Sequence, residues 1–186
     1  MKSIDLTNVN EASDSSRLPA GGYVCKILSV EDVEEKSYLF MTFDIVEGEY
    51  KGYFTALHDR AGFWGLKVRR SYKPTALPFF KRMLSAINKS NGNFVFDAAA
   101  INNDERTLVG KLIGLILQEE EYIGNDGKTK TRLNVYKECP IAEIRTGNFR
   151  TPGIKKLKEE LPDAQKPNLN EFMTLSDDDD DELPFN

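Results

Sequence analysis

Residues 107–145, TLVGKLIGLILQEEEYIGNDGKTKTRLNVYKECPIAEIR, contain two β-rich runs on either side of the turn sequence GNDG. This pattern is typical of a long β-hairpin. A register centred on the turn places Glu121 opposite Lys130 and Glu119 opposite Arg132. Unlike charges on facing strands attract, so both pairs favour this register. The segment therefore predicts the last two strands of the fold.

Three further strands are expected earlier in the chain. The runs 23–33 and 37–48 are rich in β-branched and aromatic residues, and the EEK between them is expected to form a turn. The segment YFTALHDRA at 53–61 is predicted as the third strand. Side chains of the second strand alternate between two sides. The inner set is Leu39, Met41, Phe43 and Ile45, and the outer set is Tyr38, Phe40, Thr42 and Asp44.

One helix is expected between the third and fourth strands. In TALPFFKRMLSAINKSNGN, residues 75–93, apolar residues recur at intervals of three and four, and Asn91-Gly92 is a stop signal. Three strands, a helix and two strands predict a mainly β fold, a five-stranded Greek-key barrel of the OB type. A split barrel or a small α+β sandwich has the same order of elements and remains an alternative.

Charge is distributed unevenly along the 186 residues, whose formal net charge is -5. The run 177–182 contributes six acids, and the rest of the chain has 24 acids against 25 bases. Four regions are expected. These are a flexible N-terminal arm at 1–18, an OB-fold domain at 19–150, a linker at 151–175 with room for one short helix through Ile154, Leu157 and Leu161, and an acidic interaction tail at 176–186.

The cysteines and the apolar runs exclude several classes of protein. Cys25 and Cys139 lie far apart without CxxC spacing, which indicates neither a zinc site nor a disulfide framework and fits a cytoplasmic location. The longest apolar stretch, 112–117, is too short to span a bilayer, and the N-terminus has no apolar targeting region. We therefore expect no membrane association.

Signs of catalysis are few. The chain lacks the phosphate-loop, dinucleotide-binding and HExxH motifs, and His58 is its one histidine. The acids Asp44, Asp59, Asp97 and Asp104 are scattered, without the spacing of a two-metal nuclease. We expect no enzyme activity, cofactor or metal, and a metal-dependent nuclease assembled from such acids is the alternative.

A basic and aromatic window at 60–96 is the strongest functional signal in the body of the chain. It contains eight bases and no acid, with aromatic residues among them. Cations follow phosphates and flat rings stack on unpaired bases, so the window indicates single-stranded nucleic acid binding. Alternatively, the aromatics anchor a loop and Lys81, Arg82 and Lys89 form the solvated side of the helix. The candidate binding residues here are Arg60, Phe63, Trp64, Lys67, Arg69, Arg70, Tyr72 and Lys73.

Two other surfaces are candidates. Tyr38 and Phe40 on the outer side of the second strand would form a stacking platform, because nucleic acid lies on strands two and three of an OB barrel. Alternatively, the N-terminal arm or a second subunit covers them. On the fifth strand Lys130 and Arg132 are also candidates, although facing glutamates would reduce their attraction for phosphate.

The end of the chain, SDDDDDELPFN, places an apolar Leu-Pro-Phe after a run of acids. A charged run is expected to be disordered, and an apolar group on it suits docking into a pocket ringed by Arg or Lys on another protein. The expected partner-binding residues are Asp177, Asp178, Asp179, Asp180, Asp181, Glu182, Leu183, Pro184 and Phe185.

This ending resembles the C-terminus of bacterial single-stranded DNA-binding proteins, in which several Asp precede Ile-Pro-Phe. With LPAGGY at 18–23 and GKLIGLIL at 110–117, the chain resembles a phage-encoded member of that family. The resemblance implies an OB-fold protein of the host cytoplasm that coats single-stranded DNA in replication, recombination or repair. It also implies recruitment of replication and recombination proteins by the tail, and it leaves open whether the chain is a monomer, a homodimer or a tetramer. Asn186 departs from the pattern, since the bacterial tails end on the Phe.

Two further interpretations stay open. A strand-annealing recombination mediator would have the same basic and aromatic window, and an acidic interaction protein that never contacts DNA would have the same tail. If the chain binds single-stranded DNA, we expect the acidic tail and DNA to compete for one basic groove.

Overall fold

The computed structural model describes residues 17–62, 66–98 and 104–157. The chain divides into two units, residues 1–156 and 157–186, and only Leu157 of the second is described. The arm residues 1–16, Phe63 and Trp64, and the segment 158–186 lie outside the described residues. The elements in chain order are β1 (Gly21–Val33), β2 (Tyr38–Ile45), α1 (Tyr53–Ala61), β3 (Lys67–Ser71), α2 (Leu77–Ser90), β4 (Leu112–Ile123), β5 (Thr129–Cys139) and α3 (Ile141–Arg145).

The five strands form one antiparallel sheet in the order β3-β2-β1-β4-β5, which confirms a mainly β fold. The long strand β1 pairs with β2 over Cys25–Val33 and with β4 over Gly21–Lys26. The predicted inner set of β2, from Leu39 to Ile45, is buried. Within the described residues β3 and β5 remain edges without a ladder between them, so the predicted barrel is not closed. None of the described helices is both long and apolar enough to cross a bilayer.

The prediction of a third strand at 53–61 is wrong, because this segment is helix α1. The buried carboxylate of Asp44 at the end of β2 accepts hydrogen bonds from the Phe54 amide at 3.0 Å and from the Thr55 hydroxyl. These groups lie in the first turn of α1, where amides have no partner within the helix, so a distant carboxylate caps it. The third strand is instead β3, inside the window that the sequence indicated as an irregular loop.

Helix α2 is confirmed within the predicted segment. Of the four residues that carry the period, Phe80, Leu84 and Ile87 face the core as expected, whereas Leu77 at the start of the helix is 48% exposed. At its C-terminal end the side-chain amide of Asn91 donates to the Ile87 carbonyl at 2.6 Å and to the Leu112 carbonyl at 2.8 Å. The Leu112 amide donates back to the Asn91 side chain at 2.9 Å. One asparagine therefore both ends α2 and joins it to the start of β4.

The β4–β5 hairpin is confirmed, but its predicted register is wrong by one residue. Glu121 faces Thr131, and the ion pair across the strands joins Glu120 to Arg132 at 3.2 Å. The shift places Arg132 opposite a different glutamate from the one predicted. Charge complementarity favoured both registers because residues 119–121 are all glutamates.

A second apolar cluster lies on the outer side of β1 and β4, beneath α3. A Cβ at Gly22 would come 2.5 Å from the Phe149 ring, and one at Gly114 would come 2.8 Å from both the Cys139 carbonyl oxygen and Ile144. Because real Cβ atoms are not found this close to other heavy atoms, these two glycines allow α3 and the following loop to approach the sheet.

The two cysteines are free, buried and on opposite sides of the sheet. Cys25 faces Ile113 on β4, whereas Cys139 faces the next residue, Gly114. Successive side chains of a strand point to opposite sides, so no disulfide can join them without breaking the sheet. Burial raises the pKa of the Cys139 thiol to about 11 and also raises that of Cys25.

An ion cluster spans the opening between the two edge strands. Glu138 of β5 is 3% exposed, and its carboxylate accepts a hydrogen bond from Arg70 of β3. A nitrogen of Arg82 in α2 lies 3.6 Å from the other carboxylate oxygen. Three elements therefore converge on one carboxylate where a closed barrel would have a ladder.

Replacing Glu138 by Gln should lower the free energy of unfolding by about 2 kcal/mol or more. Removing one partner of a fully buried ion pair costs about 3–5 kcal/mol, and here both guanidinium groups reach solvent. Urea unfolding would measure the loss, with Glu31→Gln, an exposed glutamate on β1, as the control. Equal midpoints for Glu138→Gln and the original protein would show that the cluster does not hold the two edges.

Candidate nucleic-acid interface

The outer side of β2 and β3 brings two aromatic rings together with two bases. Phe40 faces Arg69 across the strands, and Tyr38 and Lys67 occupy the neighbouring positions on the same side. The Arg69 guanidinium lies over the Tyr38 ring at 5.3 Å from its centroid. The Lys67 ammonium lies 6.0 Å from the centroid of Phe40. Each ring is therefore half-buried beneath a cation. The four residues of these two pairs are all among the predicted binding residues.

This arrangement follows from the period of two in both strands. The inner residues of β2 fill the core, so Tyr38 and Phe40 must lie outside. Val68 is buried, and its neighbours Lys67 and Arg69 consequently face outward beside the rings. A cation above a ring is attracted by the negative face of the π system. The pairs thus hold flat surfaces and positive charge at fixed positions.

The surroundings of the rings are mixed in charge. Glu31 of β1 faces Phe40 from the other side, and the hydroxyls of Ser29 and Thr42 are hydrogen bonded at 2.6 Å. Glu31 is the acid nearest in register to the rings, whereas β3 places Arg69 opposite Phe40 and Lys67 at the next outward position. Positive charge therefore increases from β1 towards the free edge of β3.

Two of the predicted residues point elsewhere. Arg70 faces Leu39 on the inner side of the sheet and binds Glu138, so its charge is neutralised. Tyr72 packs edge-on against Phe80 at 5.8 Å, and its hydroxyl donates to Asp32 at 2.8 Å. Burial and this hydrogen bond raise the pKa of Tyr72 to about 12. Both residues support the fold around the interface.

Arg60 and Lys73 are exposed, at the end of α1 and just before α2 respectively. The sequence placed both in the basic window, and neither belongs to the cation and ring pairs of β2 and β3. Phe63 and Trp64 lie outside the described residues, so their predicted role stays a prediction.

The bases of β5 are engaged by acids, as the facing glutamates indicated. Lys130 lies 3.1 Å from Asp126, and Arg132 pairs with Glu120 while lying over the Tyr122 ring. Lys155 also binds Glu120, at 2.9 Å. Paired charges attract phosphate less than unpaired ones, so this side of the hairpin is the weaker candidate.

The segment after α3 adds a short parallel pairing to the sheet. The Lys155 amide donates to the Glu119 carbonyl at 2.8 Å, and the Glu121 amide donates to the Lys155 carbonyl at 2.9 Å. Within 151–156 the structure describes no helix, and Lys155 forms a single parallel bridge with Glu120 of β4. The predicted short helix therefore does not include Ile154, and Leu161 lies outside the described residues. Ion pairs of the Glu120 carboxylate with Arg132 and Lys155 stabilise this parallel pairing.

A further pair of a ring and a base, on α2, was not predicted. The guanidinium of Arg82 lies over the Phe79 ring at 5.3 Å, on the outer surface of α2. The helical period could have identified it, because Phe80 and Leu84 face the core and Phe79 must then point away. The sequence pattern assigned Lys81, Arg82 and Lys89 to a solvated side of the helix in one interpretation, and it gave Phe79 no role.

The described residues contain no group of three or more His, Cys, Asp and Glu side chains able to hold a metal ion. Asp44, one of the acids considered for a nuclease, caps α1 instead. No protein-family model matches the chain, and no curated protein matches it significantly.

Acid should weaken the pairing at Lys155. The hydrogen bond from Lys155, and next that from Arg132, hold the pKa of Glu120 below its ordinary value of 4.5. A lowered folded-state pKa stabilises the fold above the ordinary value, and this contribution is lost as pH falls through the folded value. Because both partners are mostly exposed, the contribution at neutral pH is about 1 kcal/mol.

Urea unfolding of the original protein and of Glu120→Gln at pH 7 and pH 3 would measure this. We expect a stability difference at pH 7 that becomes smaller at pH 3, as Glu120 takes up a proton. Glu35→Gln, in the exposed turn between β1 and β2, is the control for a generic change in charge. A difference of the same size at both pH values would contradict the assignment.

Proposed function

We propose that this chain is a single-stranded DNA-binding protein of the OB type that acts in phage DNA replication, recombination or repair. The strand order supports it, since β1 pairs with both β2 and β4, and α2 connects β3 to β4, as in an OB barrel. The seam between β3 and β5 carries the Glu138 cluster in place of a ladder. We propose that this sheet is an OB barrel open at that seam.

The observation that carries the proposal is the pairing of Arg69 with Tyr38 and of Lys67 with Phe40. Every base has a flat face, so rings bind unpaired bases with little sequence preference, and cations beside them meet the phosphates. A guanidinium is itself planar and can stack on a base. In double-stranded DNA the bases are already stacked on each other, so the rings would favour single strands.

We further propose that the acidic segment 176–186 recruits replication and recombination proteins. Six acids would steer it towards a basic pocket on a partner, and Leu183 and Phe185 would supply apolar burial. The same charges would compete with DNA for the bases of β3. The resemblance to bacterial single-stranded DNA-binding proteins supports this part of the proposal.

Removing a ring from β2 should weaken binding to single-stranded DNA. A stacked base contributes about 1–3 kcal/mol, so Phe40→Ala should raise the Kd for oligo-dT by about 5-fold or more. Fluorescence anisotropy at low salt would measure it, with double-stranded DNA of the same length for comparison.

Lys67→Ala should also make the slope of log K against log salt shallower by about 0.7, because one phosphate contact is lost.

Matched controls are available on the β4–β5 hairpin. Tyr136→Ala removes a ring that is 54% exposed on β5, and Lys128→Ala removes an exposed base from the turn. Both should bind as the original protein does. Indistinguishable effects of Phe40→Ala and Tyr136→Ala would refute the interface, and failure of the original protein to bind oligo-dT in dilute buffer would refute the function.

Truncation after Leu175 should strengthen binding to single-stranded DNA at low salt, because six competing negative charges are removed. In about 1 M salt the gain should vanish, since charges there are screened over about 3 Å. Replacing 177–181 with five Asn should reproduce the gain, and Phe185→Ala, which keeps the acids, should not. An unchanged or lower affinity of the truncated chain at low salt would argue against competition.

A further inference from the structure

Helix α2 exposes an aromatic ring that the core does not use. Phe79 is 51% exposed and lies beneath the guanidinium of Arg82. Lys81 and Lys89 are exposed on the same helix, which has no acid anywhere in its 14 residues. The charged side chains of this helix are thus all basic, whereas Phe40 on the sheet has the acid Glu31 facing it.

Arg82 is only loosely held by the Glu138 cluster. Its nitrogen lies 3.6 Å from the carboxylate, whereas Arg70 makes the direct hydrogen bond to the same group. The Arg82 side chain is 43% exposed, against 23% for Arg70. Arg82 therefore stays partly exposed above Phe79, where an anion can reach it.

Helix α2 contacts the chain just beyond the end of β3. Tyr38 faces Ser71 at the end of β3, and the next residue, Tyr72, contacts Phe80 at 5.8 Å. Phe80 is adjacent to Phe79 in the chain but points into the core. A strand that continues from Tyr38 past the end of β3 would therefore run towards α2.

We infer that α2 carries a second stacking position for the same single strand, with a base on Phe79 and its phosphate at Arg82. The inference rests on the proposed function and extends the bound strand from the sheet, past the end of β3, onto the helix. The occupant is a polyanion with flat groups, because a ring beneath a guanidinium on an acid-free helix matches both properties. A protein segment docking on the apolar surface is the outcome that the test must separate from it.

The test compares oligo-dT of about 4 and about 16 nucleotides, the limits of the sites that single OB folds occupy. Phe79→Ala should raise the Kd of the longer oligonucleotide by about 5-fold or more. It should leave the shorter one unchanged, since that strand is filled by the β2–β3 surface. Phe79→Tyr keeps the ring and should bind as the original protein does.

Phe79→Leu separates stacking from apolar contact, because it keeps much of the bulk and loses the flat face. We expect it to behave as Phe79→Ala. Val95→Ala, at an apolar side chain that is 72% exposed, is the control for loss of surface, and thermal unfolding would verify that all variants are folded.

The inference is overturned if Phe79→Ala binds the longer oligonucleotide as the original protein does, if Phe79→Leu retains full affinity, or if both oligonucleotides lose affinity equally. In any of these cases weaker binding by Phe40→Ala would leave the proposed function standing. Absence of binding by the original protein would instead remove the proposed function, and the inference with it.

Discussion

The arrangement of the sheet edges depends on the ion pair between Arg70 and the buried carboxylate of Glu138. The edge strands share no backbone ladder in the described residues, yet Arg70 of β3 and Glu138 of β5 both point to the inner side and meet there. A buried carboxylate without a counter-charge is costly, so the pair favours conformations in which the edges stay close. Arg82 adds α2 to the same point.

The inward direction of Arg70 also fixes the outward direction of Arg69. Consecutive residues of a strand face opposite sides, so one arginine supports the fold while its neighbour lies over Tyr38. The two arginines look equivalent in the sequence, and only the position of the strand separates their roles. The five residues of β3 therefore supply both the inward Arg70, which binds Glu138 at the unpaired edge, and the outward bases that make the outer surface positive.

Much of the fold could be predicted where a single period governs a segment. The alternation of β2, the apolar side of α2 and the two runs of the hairpin depend on side chains within the segment itself, and all three predictions are confirmed. Helix α1 was missed because its cap, Asp44, is eight or more residues away and becomes a cap only after folding. Strand β3 was missed because its outer positions carry bases, which strand patterns do not usually favour.

The register error has a different origin. Three consecutive glutamates offer an ion pair in more than one register, so local electrostatics cannot choose among them. The pairing of Ile123 with Thr129 leaves a five-residue loop, 124–128, which sets the register of the glutamates, and the bulge between Ile116 and Leu117 shifts the pairing only farther from the turn. Among the predicted interface residues, Tyr38, Phe40, Lys67 and Arg69 come together, whereas Arg70 and Tyr72 face partners that only the three-dimensional contacts reveal.

The placement of the two thiols makes the protein convenient for chemical labelling. Thiolate is the form that reacts with maleimides, and burial keeps both Cys25 and Cys139 protonated and out of reach. A cysteine introduced at an exposed position would therefore be modified ahead of the native pair. Fluorophores could be attached at chosen surface sites without first replacing either native cysteine.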